Sequence, residues 1–297
     1  MKIIITGSNG FIGKNLFNYY CKDDNVVLGI NTKTYKLYKN GVIKNENFES
    51  LSDLNIKNFD IVYHFGWSGT AGREQRSNLK LQFSNLEFTL KFYKYCSEKN
   101  IKNFVYSASV YENEVISDLF FPEEPKLNCL TNIYGAAKIS TNIFLNSIRN
   151  DKLPISMIRI SNVFGIGSSE NRFINYVLKN IHNNSPMELS SGKQLYDFIY
   201  IDDAIEAIRL IGEKGLPNKT YNLSSGNAKM LREFLIEIFD FFKVENYMSY
   251  FGKIEVNGKP LDKVFLCIDS LKSDLNYIPK TKFIDGVKKL YNHIYNA

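Results

Sequence analysis

The amino-acid sequence predicts an α/β fold, with a doubly wound parallel sheet and a smaller, discontinuous C-terminal lobe. The first reason is the apolar run Ile3–Ile5, which leads directly into a glycine-rich turn and then a helical pattern. The second is that strands and helices alternate as far as about residue 160, which is typical of a parallel sheet. The third is that this alternation loosens after Asn162. We therefore expect the sheet domain to comprise residues 1–165 and 196–224, and the smaller lobe 166–195 and 225–297.

The first strand and the turn after it predict a dinucleotide-binding loop of the Rossmann type. The turn reads Thr-Gly-Ser-Asn-Gly-Phe-Ile-Gly, and its glycines are spaced G-x-x-G-x-x-G. Gly7 permits a tight turn, Gly10 lets the backbone approach a pyrophosphate, and Gly13 lets the helix pack on the strand. The pyrophosphate would lie at the helix N-terminus, so Asn9, Phe11 and Ile12 also become candidate contacts. The alternative is an ordinary glycine-rich β–α turn.

The second strand, Val26–Ile30, ends where a Rossmann fold selects its cofactor. An acidic side chain at this point would bind the ribose 2′-hydroxyl of NAD, but the sequence continues Asn31-Thr32-Lys33. Asn31 and Thr32 can hydrogen-bond a 2′-phosphate and Lys33 can neutralise it, which favours NADP(H) over NAD(H). A plain polar turn is the alternative. Residues 31–58 are polar, with at most a short strand near Val42-Ile43.

The next strand, Asp60–Gly66, ends in Phe65 and Gly66. The turn-rich segment 67–72 follows the carboxyl end of this strand, where ligands of open α/β sheets bind. Trp67, Ser68 and Gly69 are therefore candidate substrate contacts, although Trp67 can equally be a packing residue. We expect His64 to be structural.

The remaining sheet domain is predicted as alternating helices and strands. A long helix over residues 74–98 places Leu79, Phe83, Leu86 and Leu90 on one face. A strand and polar turn (103–111), a loop (113–130), a helix (132–149, with Thr131 as N-cap) and a strand (155–160) follow. Beyond Asn162 we expect helices at 170–182, 231–242 and 283–294. Two more helices are expected after the N-caps Asp202 and Asp269, and the first of these ends at about residue 211. Strands are expected at 187–189, 197–201 and 221–224, and extended chain at 260–267.

Composition excludes several classes of function. The net charge of +6 is spread along the chain without a basic block, which argues against nucleic acid as a partner. Four separated cysteines (Cys21, Cys96, Cys129 and Cys267) indicate reduced thiols, and three isolated histidines give no metal-ligand spacing. Since neither a signal peptide nor a membrane-spanning run is evident, we expect a cytoplasmic protein.

Tyr134 and Lys138 are the residues whose spacing indicates catalysis. On a helix, positions i and i+4 share a face, so the phenol and the ammonium would point the same way. A nearby cation favours the phenolate and lowers the pKa of a tyrosine, which would make Tyr134 a usable acid or base. Because the chain is rich in Tyr and Lys, the Y-x-x-x-K pattern alone is weak.

Taken together, the motifs resemble the extended short-chain dehydrogenase/reductase family over essentially the whole chain. The glycine loop, Ser107-x-x-Val110-Tyr111 and Tyr134-x-x-x-Lys138 occur in that family's order. The later motifs also fit: Arg159-x-x-Asn162-x-x-Gly165, Asp197-Phe198-x-Tyr200-x-x-Asp203 and Asn276-Tyr277-Ile278-Pro279. The resemblance implies a nicotinamide cofactor and, most often, a nucleoside-diphosphate sugar as substrate.

The resemblance also implies roles for individual residues. Phe65 and Gly66 would lie close to the cofactor, where small residues leave room for it. Tyr134 would be the acid/base, Lys138 would bind the nicotinamide ribose, and Ser107 would hydrogen-bond the reacting oxygen. Ser109 is the lesser claimant to that role, and Asn162 would lie by the substrate or its diphosphate. A homodimer would form through the helices over residues 78–97 and 132–149.

Departures from the family pattern narrow the function. The family's 4,6-dehydratases have an Asp-Glu pair after the catalytic hydroxyl, whereas this chain has Ala108-Ser109. Tyr196 replaces an arginine that often contacts the diphosphate, so Arg172 and Lys193 are candidate substitutes. Glu112 replaces the glycine that commonly follows Val-Tyr.

Together with the expected preference for NADP(H), these departures predict NADPH-dependent reduction of a nucleotide-linked 4-keto sugar. The compact chain and the Trp67-Ser68-Gly69 segment resemble bacterial reductases that make deoxyhexoses for surface polysaccharides, which implies a 4-keto-6-deoxyhexose as substrate and a role in the synthesis of surface-polysaccharide precursors. The alternatives are an NAD-dependent sugar-nucleotide epimerase and a non-catalytic NADP-binding sensor or scaffold.

Overall fold

An eight-stranded sheet forms the centre of the protein, and the computed structural model describes residues 1–70, 72–113, 115–116, 132–255 and 263–296. Its strands are β1 (Lys2–Thr6), β2 (Val26–Ile30), β3 (Thr34–Lys39), β4 (Val42–Asn47), β5 (Ile61–His64), β6 (Asn103–Ser109), β7 (Ile155–Ile160) and β11 (Thr220–Leu223). They lie in the order β11-β7-β6-β5-β1-β2-β3-β4, and the six strands from β11 to β2 are parallel. This confirms the predicted doubly wound α/β class.

Helices cover both faces of the sheet. They are α1 (Phe11–Tyr20), α2 (Arg73–Ser77), α3 (Leu79–Ser97), α4 (Asn132–Ile148), α5 (Phe173–His182), α6 (Ile201–Lys214), α7 (Leu231–Phe241), α8 (Asp269–Leu275) and α9 (Phe283–Tyr295). Side chains alternate across a strand, so Ile3 and Ile5 pack with α1 and α6 on one face, and Ile4 packs with α3 and α4 on the other. Burial on both faces explains the continuous apolar run of β1.

A hairpin that the sequence analysis missed extends the sheet. Strands β3 and β4 are antiparallel and continue from β2, whereas at most a short strand near Val42 was expected. Asn40 and Gly41 join them with positive φ angles of 51° and 80°. Asn-Gly is a strong hairpin signal because both of its residues tolerate the left-handed conformation that a type I′ turn requires.

The predicted helix over residues 74–98 is broken at Asn78. The Asn78 side chain accepts a hydrogen bond from the Leu81 backbone N–H and so starts α3 afresh. The predicted apolar face lies partly in solvent, since Leu79 and Phe83 are 58% and 59% exposed. The face that α3 buries includes the polar residues Gln82 and Asn85, because these side chains hydrogen-bond the segment after β5.

Short strands connect the sheet to the C-terminal part of the chain. β8 (Asn162–Phe164) pairs in parallel with β10 (Phe198–Tyr200), and β9 (Leu195–Tyr196) pairs antiparallel with β12 (Lys229–Met230). One apolar cluster runs from β1 through β8 and β10 to α7 and α9. The division into two lobes stays a prediction.

Several local predictions for this part are wrong. Residues 187–189 form no regular strand, although Leu189 exchanges backbone hydrogen bonds with Tyr250 and Lys253. Asp202 and Asp269 lie in the first turns of α6 and α8 and are not the N-caps. Residues 263–266 form a 3₁₀ helix where extended chain was expected.

Some predictions lie outside the described residues: Thr131 as a cap, Cys129, most of the 113–130 loop and the start of the 260–267 segment. Two searches of the described residues gave negative results. No helix there is long and apolar enough to cross a membrane, and no His, Cys, Asp and Glu side chains cluster there as a metal site would require.

Candidate active site

The glycine loop joins β1 to α1 at the carboxyl edge of the sheet. Gly7 has a φ of +68°, and its N–H donates to the Ile30 carbonyl at 2.8 Å. A Cβ on Gly13 would overlap the Gly7 carbonyl oxygen and lie 2.9 Å from the Gly7 carbonyl carbon. Since no side chain caps α1 at Gly10, the first N–H groups of the helix remain for an anion. The loop therefore fits the pyrophosphate of a dinucleotide.

The ends of β1 and β5 are joined by hydrogen bonds next to this loop. Thr6 Oγ1 accepts the Gly66 N–H at 2.8 Å and contacts His64 Nδ1 at 2.8 Å. His64 Nε2 lies 2.9 Å from Thr89 Oγ1. The imidazole is 1% exposed, and burial lowers its pKa to about 3, with Lys138 acting in the same direction. His64 is thus a neutral, hydrogen-bonded core residue, as expected.

Asn31 and Lys36 lie at the end of β2 where the adenosine ribose was expected. Asn31 Oδ1 accepts the Asn9 N–H at 3.1 Å. Lys36 reaches across from β3 and donates to the Ser8 carbonyl at 3.1 Å. Lys33, the predicted cation, is exposed in the turn before β3. The β3–β4 hairpin, which the sequence analysis missed, therefore brings a second lysine, Lys36, to the glycine loop.

Ser107, Tyr134 and Lys138 meet at the carboxyl end of β6. Lys138 Nζ donates to the Ser107 carbonyl at 2.8 Å and lies 3.7 Å from the centre of a Trp67 ring. The Trp67 and Tyr134 rings pack edge to face at 6.3 Å. A hydrogen bond joins the side chains of Ser109 and Tyr134, so in this structure Ser109 is the serine that contacts the phenol.

Burial dominates the ionisation of this group. It raises the pKa of Tyr134 to about 12, although the Ser109 hydrogen bond and the Arg76 charge act to lower it. The pKa of Tyr134 is therefore raised, and the prediction that it is lowered is wrong, because desolvation of the phenolate outweighs the nearby positive charge. Burial also lowers the pKa of Lys138 to about 7. At neutral pH the phenol keeps its proton.

One cleft of about 1110 Å³ contains most of the predicted site residues. Those lining it are Gly7, Gly10, Phe11, Ile12, Gly13, Asn31, Thr32, Phe65, Gly66, Trp67, Ser68, Ser107, Ser109, Tyr134, Lys138, Asn162 and Arg172. Four others do not line it: Asn9, Lys33, Gly69 and Lys193. Gly69 instead packs against α3, where its carbonyl accepts from Gln82, and Lys193 is exposed.

Arg76 is a cleft residue that the sequence analysis missed. Its Nε donates to the Thr70 carbonyl at 2.8 Å, and the guanidinium lies 4.6 Å from the Tyr111 ring centre and 5.4 Å from that of Tyr134. Nothing in the local sequence separates Arg76 from other helix-surface arginines. Among the described residues that line the cleft, the charged ones are Arg76, Lys138 and Arg172, and none is Asp or Glu. The cleft therefore suits an anionic ligand.

The sheet order, the glycine loop and a Tyr-Lys helix at the same edge define the class: an extended short-chain dehydrogenase/reductase. More specifically, the chain belongs to the NAD dependent epimerase/dehydratase family, whose model matches residues 3–224. It is 25% identical to the dTDP-glucose 4,6-dehydratase of Salmonella typhimurium, covering 97% of this chain and 91% of that protein. It is 23% identical to Protein CapI of Staphylococcus aureus, covering 97% of both.

Solved structures show the same fold. A UDP-N-acetylglucosamine 4-epimerase from Methanobrevibacter ruminantium, in complex with UDP-N-acetylmuramic acid, superposes with a TM-score of 0.75 at 23% identity. The match covers 99% of this chain and 98% of the epimerase. A dTDP-glucose 4,6-dehydratase from Bacillus anthracis, in complex with NAD, gives 0.75 at 18% identity, covering 100% of this chain and 97% of that one.

Proposed function

We propose that the chain reduces a nucleotide-linked keto sugar with NADPH, most specifically a 4-keto-6-deoxyhexose in the synthesis of surface-polysaccharide precursors. The observation that supports this best is the make-up of the cleft: Ser107, Tyr134 and Lys138 converge there, and no carboxylate is present among its described lining residues. Elimination of water would need an acid/base pair beside the sugar, and Ala108-Ser109 offers none. Carbonyl reduction needs only one proton donor and a group that binds the oxygen.

The residues of this chain supply the proton. When bound, the nicotinamide supplies a hydride to the carbonyl carbon, and the C=O double bond becomes a C–O single bond. Tyr134, which holds its proton at neutral pH, donates that proton to the developing alkoxide. Ser107 hydrogen-bonds the same oxygen, and Ser109 orients the phenol. Lys138 holds the nicotinamide ribose.

The cofactor end of the cleft supports NADPH over NADH. Asn31 carries no charge to repel a 2′-phosphate, and Lys36 is a half-buried cation beside Ser8 and Asn9. We propose that Lys36, more than the exposed Lys33, neutralises the 2′-phosphate. Similar solved structures contain NAD, so the proposal of NADPH depends on Asn31 and Lys36 of this chain alone.

An NAD-dependent sugar-nucleotide epimerase is the second candidate. Its support is that epimerases are among the similar structures, and the Ser-Tyr-Lys group could serve either reaction. An epimerase must first remove a proton from a sugar hydroxyl. A phenol with a pKa of about 12 keeps its own proton at neutral pH and is therefore not ready to accept that one. A non-catalytic NADP-binding sensor has no supporting observation beyond the glycine loop.

We also propose that the chain forms a homodimer through α3 and α4. Leu79 and Phe83 of α3 and Ile143, Phe144 and Ile148 of α4 are each 45–59% exposed. Apolar patches of this kind on neighbouring helices mark interaction sites, and a two-fold axis would pair the patch with itself.

The proposed division is a dinucleotide-binding domain of residues 1–165 and 196–224, with residues 166–195 and 225–297 binding the sugar nucleotide. Asn162 and Arg172, which both line the cleft, would contact the diphosphate.

Tyr134→Phe tests the proposed reaction. NADPH oxidation is followed at neutral pH with UDP- and dTDP-linked 4-keto-6-deoxyhexoses. Removing the proton donor should lower turnover by about 10²- to 10⁴-fold, while NADPH affinity stays within about twofold of the wild-type value. Tyr176→Phe, at an exposed position on α5, is the matched control. Full turnover by Tyr134→Phe, or interconversion of sugars by the wild type without added reductant, would refute the proposal.

A further inference from the structure

Glu112 is a buried carboxylate directly behind the candidate active site. It is 0% exposed and does not line the cleft. Its Oε1 accepts the Ser109 N–H at 3.1 Å, and its Oε2 lies 3.5 Å from Asn142 Nδ2 and 3.8 Å from the Arg159 guanidinium. Charged groups are almost never fully buried unless they are paired. We therefore expect the partners of this carboxylate to show its function.

Glu112 and Lys138 hold the two ends of the same short segment. Lys138 Nζ donates to the carbonyl of Ser107, and the N–H of Ser109 donates to Glu112. The cation Lys138 therefore binds a carbonyl at the start of residues 107–109, and the anion Glu112 binds an N–H at their end. Each is a charge-assisted hydrogen bond, the stronger kind, so the pair orients the two serines nearest to Tyr134.

The surroundings of Lys138 make the charge of Glu112 important. The ammonium is packed against Trp67, the rings of Tyr106 and Tyr134, and neutral His64. Burial lowers the pKa of Lys138 to about 7, and the charge of Glu112 opposes that decrease.

Five side chains face Glu112 from β6, β7 and α4. They are Arg159 of β7, Tyr106 of β6, and Tyr134, Lys138 and Asn142 of α4. Burial raises the pKa of the Glu112 carboxyl, while Arg159, Lys138 and the Ser109 N–H favour its ionised form. With Lys138 protonated and Glu112 ionised, Arg159, Lys138 and Glu112 form a largely buried group with a net charge of +1.

We infer that Glu112 is a positioning residue that fixes the Ser107–Ser109 turn and supplies a negative charge that favours the cationic form of Lys138. Glu112 acts through Lys138 and the turn and does not touch the substrate. The inference rests on the proposed function only in that the chain must bind a nicotinamide dinucleotide beside Lys138.

The test compares wild type with Glu112→Gln in dinucleotide binding between about pH 5 and 9. Gln keeps an acceptor for the Ser109 N–H and removes only the charge. Affinity for NADPH and for NADH, measured by fluorescence titration, should fall on the alkaline side at a pH about one unit lower in the variant, because a nearby opposite charge favours the charged form of Lys138. Glu87→Gln, which removes one exposed carboxylate paired with Lys91, should leave the profile unchanged.

A Glu112→Gln profile that superposes on the wild-type profile would overturn the inference, since a purely structural role predicts that result. In a Lys138→Met background, Glu112→Gln should cause no further shift, and an added shift would also count against it. If the Gln variant does not fold, Glu112→Asp keeps the charge and should keep the wild-type alkaline limb; a folded Asp variant with a shifted limb would contradict the inference. Dinucleotide binding without keto-sugar reduction would refute the proposed reaction alone, whereas absence of dinucleotide binding would refute both.

Discussion

An added methyl group would meet different atoms at Gly13 and at Gly10. Alanine substitutions at the two positions therefore distinguish an effect on folding from an effect on cofactor binding. A Cβ on Gly13 would overlap the Gly7 carbonyl oxygen and approach the Ser8 Cα to 3.1 Å. These are backbone atoms of a tight turn and cannot rotate away. In Gly13→Ala, the start of α1 must therefore move away from the loop.

The expected loss of stability follows from that overlap. Overpacking typically costs about 1–3 kcal/mol, and the higher helix propensity of alanine returns up to about 1 kcal/mol. A net loss of about 1–2 kcal/mol, at about 2–4 °C per kcal/mol for a domain of this size, should lower the Tm by about 2–8 °C. Because the loop is displaced, dinucleotide affinity should also fall by tenfold or more.

Gly10→Ala is the matched comparison. Gly10 has φ −73° and ψ 166°, which alanine adopts without strain, and its Cβ would meet only the Gly7 carbonyl oxygen, at 3.2 Å. Stability should therefore change by less than about 1 kcal/mol. The methyl group would point to where the pyrophosphate is proposed to lie, so affinity should still fall by about tenfold.

Differential scanning fluorimetry and NADPH titration of both variants give the two quantities. Equal Tm losses in the two variants would refute the packing argument for Gly13. Unchanged NADPH affinity in Gly10→Ala would refute the placement of the pyrophosphate on this loop.

Three further outcomes are expected. Lys36→Gln should reduce affinity for NADPH about tenfold and leave affinity for NADH unchanged, whereas Lys33→Gln should have little effect on either affinity. Titration of both variants measures these affinities, and equal effects of the two substitutions would contradict the assignment to Lys36. Phe83→Asp should convert the proposed dimer to a monomer in light scattering without loss of helicity, and an unchanged mass would exclude this face. Burial depresses the pKa of His64 from 6.5 to about 3, so the unfolded chain binds a proton that the folded chain does not, and stability should fall as the pH decreases from about 6.5 toward 3. The full effect is about 5 kcal/mol at 1.36 kcal/mol per pKa unit, and His64→Asn should flatten this part of a Tm-against-pH curve.

The parallel sheet was predictable because its signals are local. The buried run of β1, the glycine loop and the alternation of strands and helices are all readable within a few residues. The β3–β4 hairpin was also encoded locally, in Asn40-Gly41, but polar side chains on exposed strands hid the two-residue period that normally identifies them.

Other features depend on contacts between distant segments. Asn78 could be recognised as a cap only once the bonding of residues 67–69 to α3 had fixed where that helix begins. Leu79 and Phe83 were correctly expected on one face, but the sequence could not tell whether that face meets the sheet or the solvent. That choice was made by Gln82 and Asn85, whose hydrogen bonds to the segment after β5 turn them inward.

By itself, the sequence determined the fold class, the glycine loop and the spacing that puts Tyr134 and Lys138 on one helical face, since each depends on local geometry. Only the tertiary structure decided how those groups ionise and which charges accompany them. Burial raises the Tyr134 pKa against the effect of the Arg76 charge, Lys36 reaches Ser8 and Asn9 of the glycine loop from a hairpin, and Glu112 accepts the Ser109 N–H. Desolvation and electrostatic interaction both depend on what surrounds a group in space, and that is settled only when distant segments pack together.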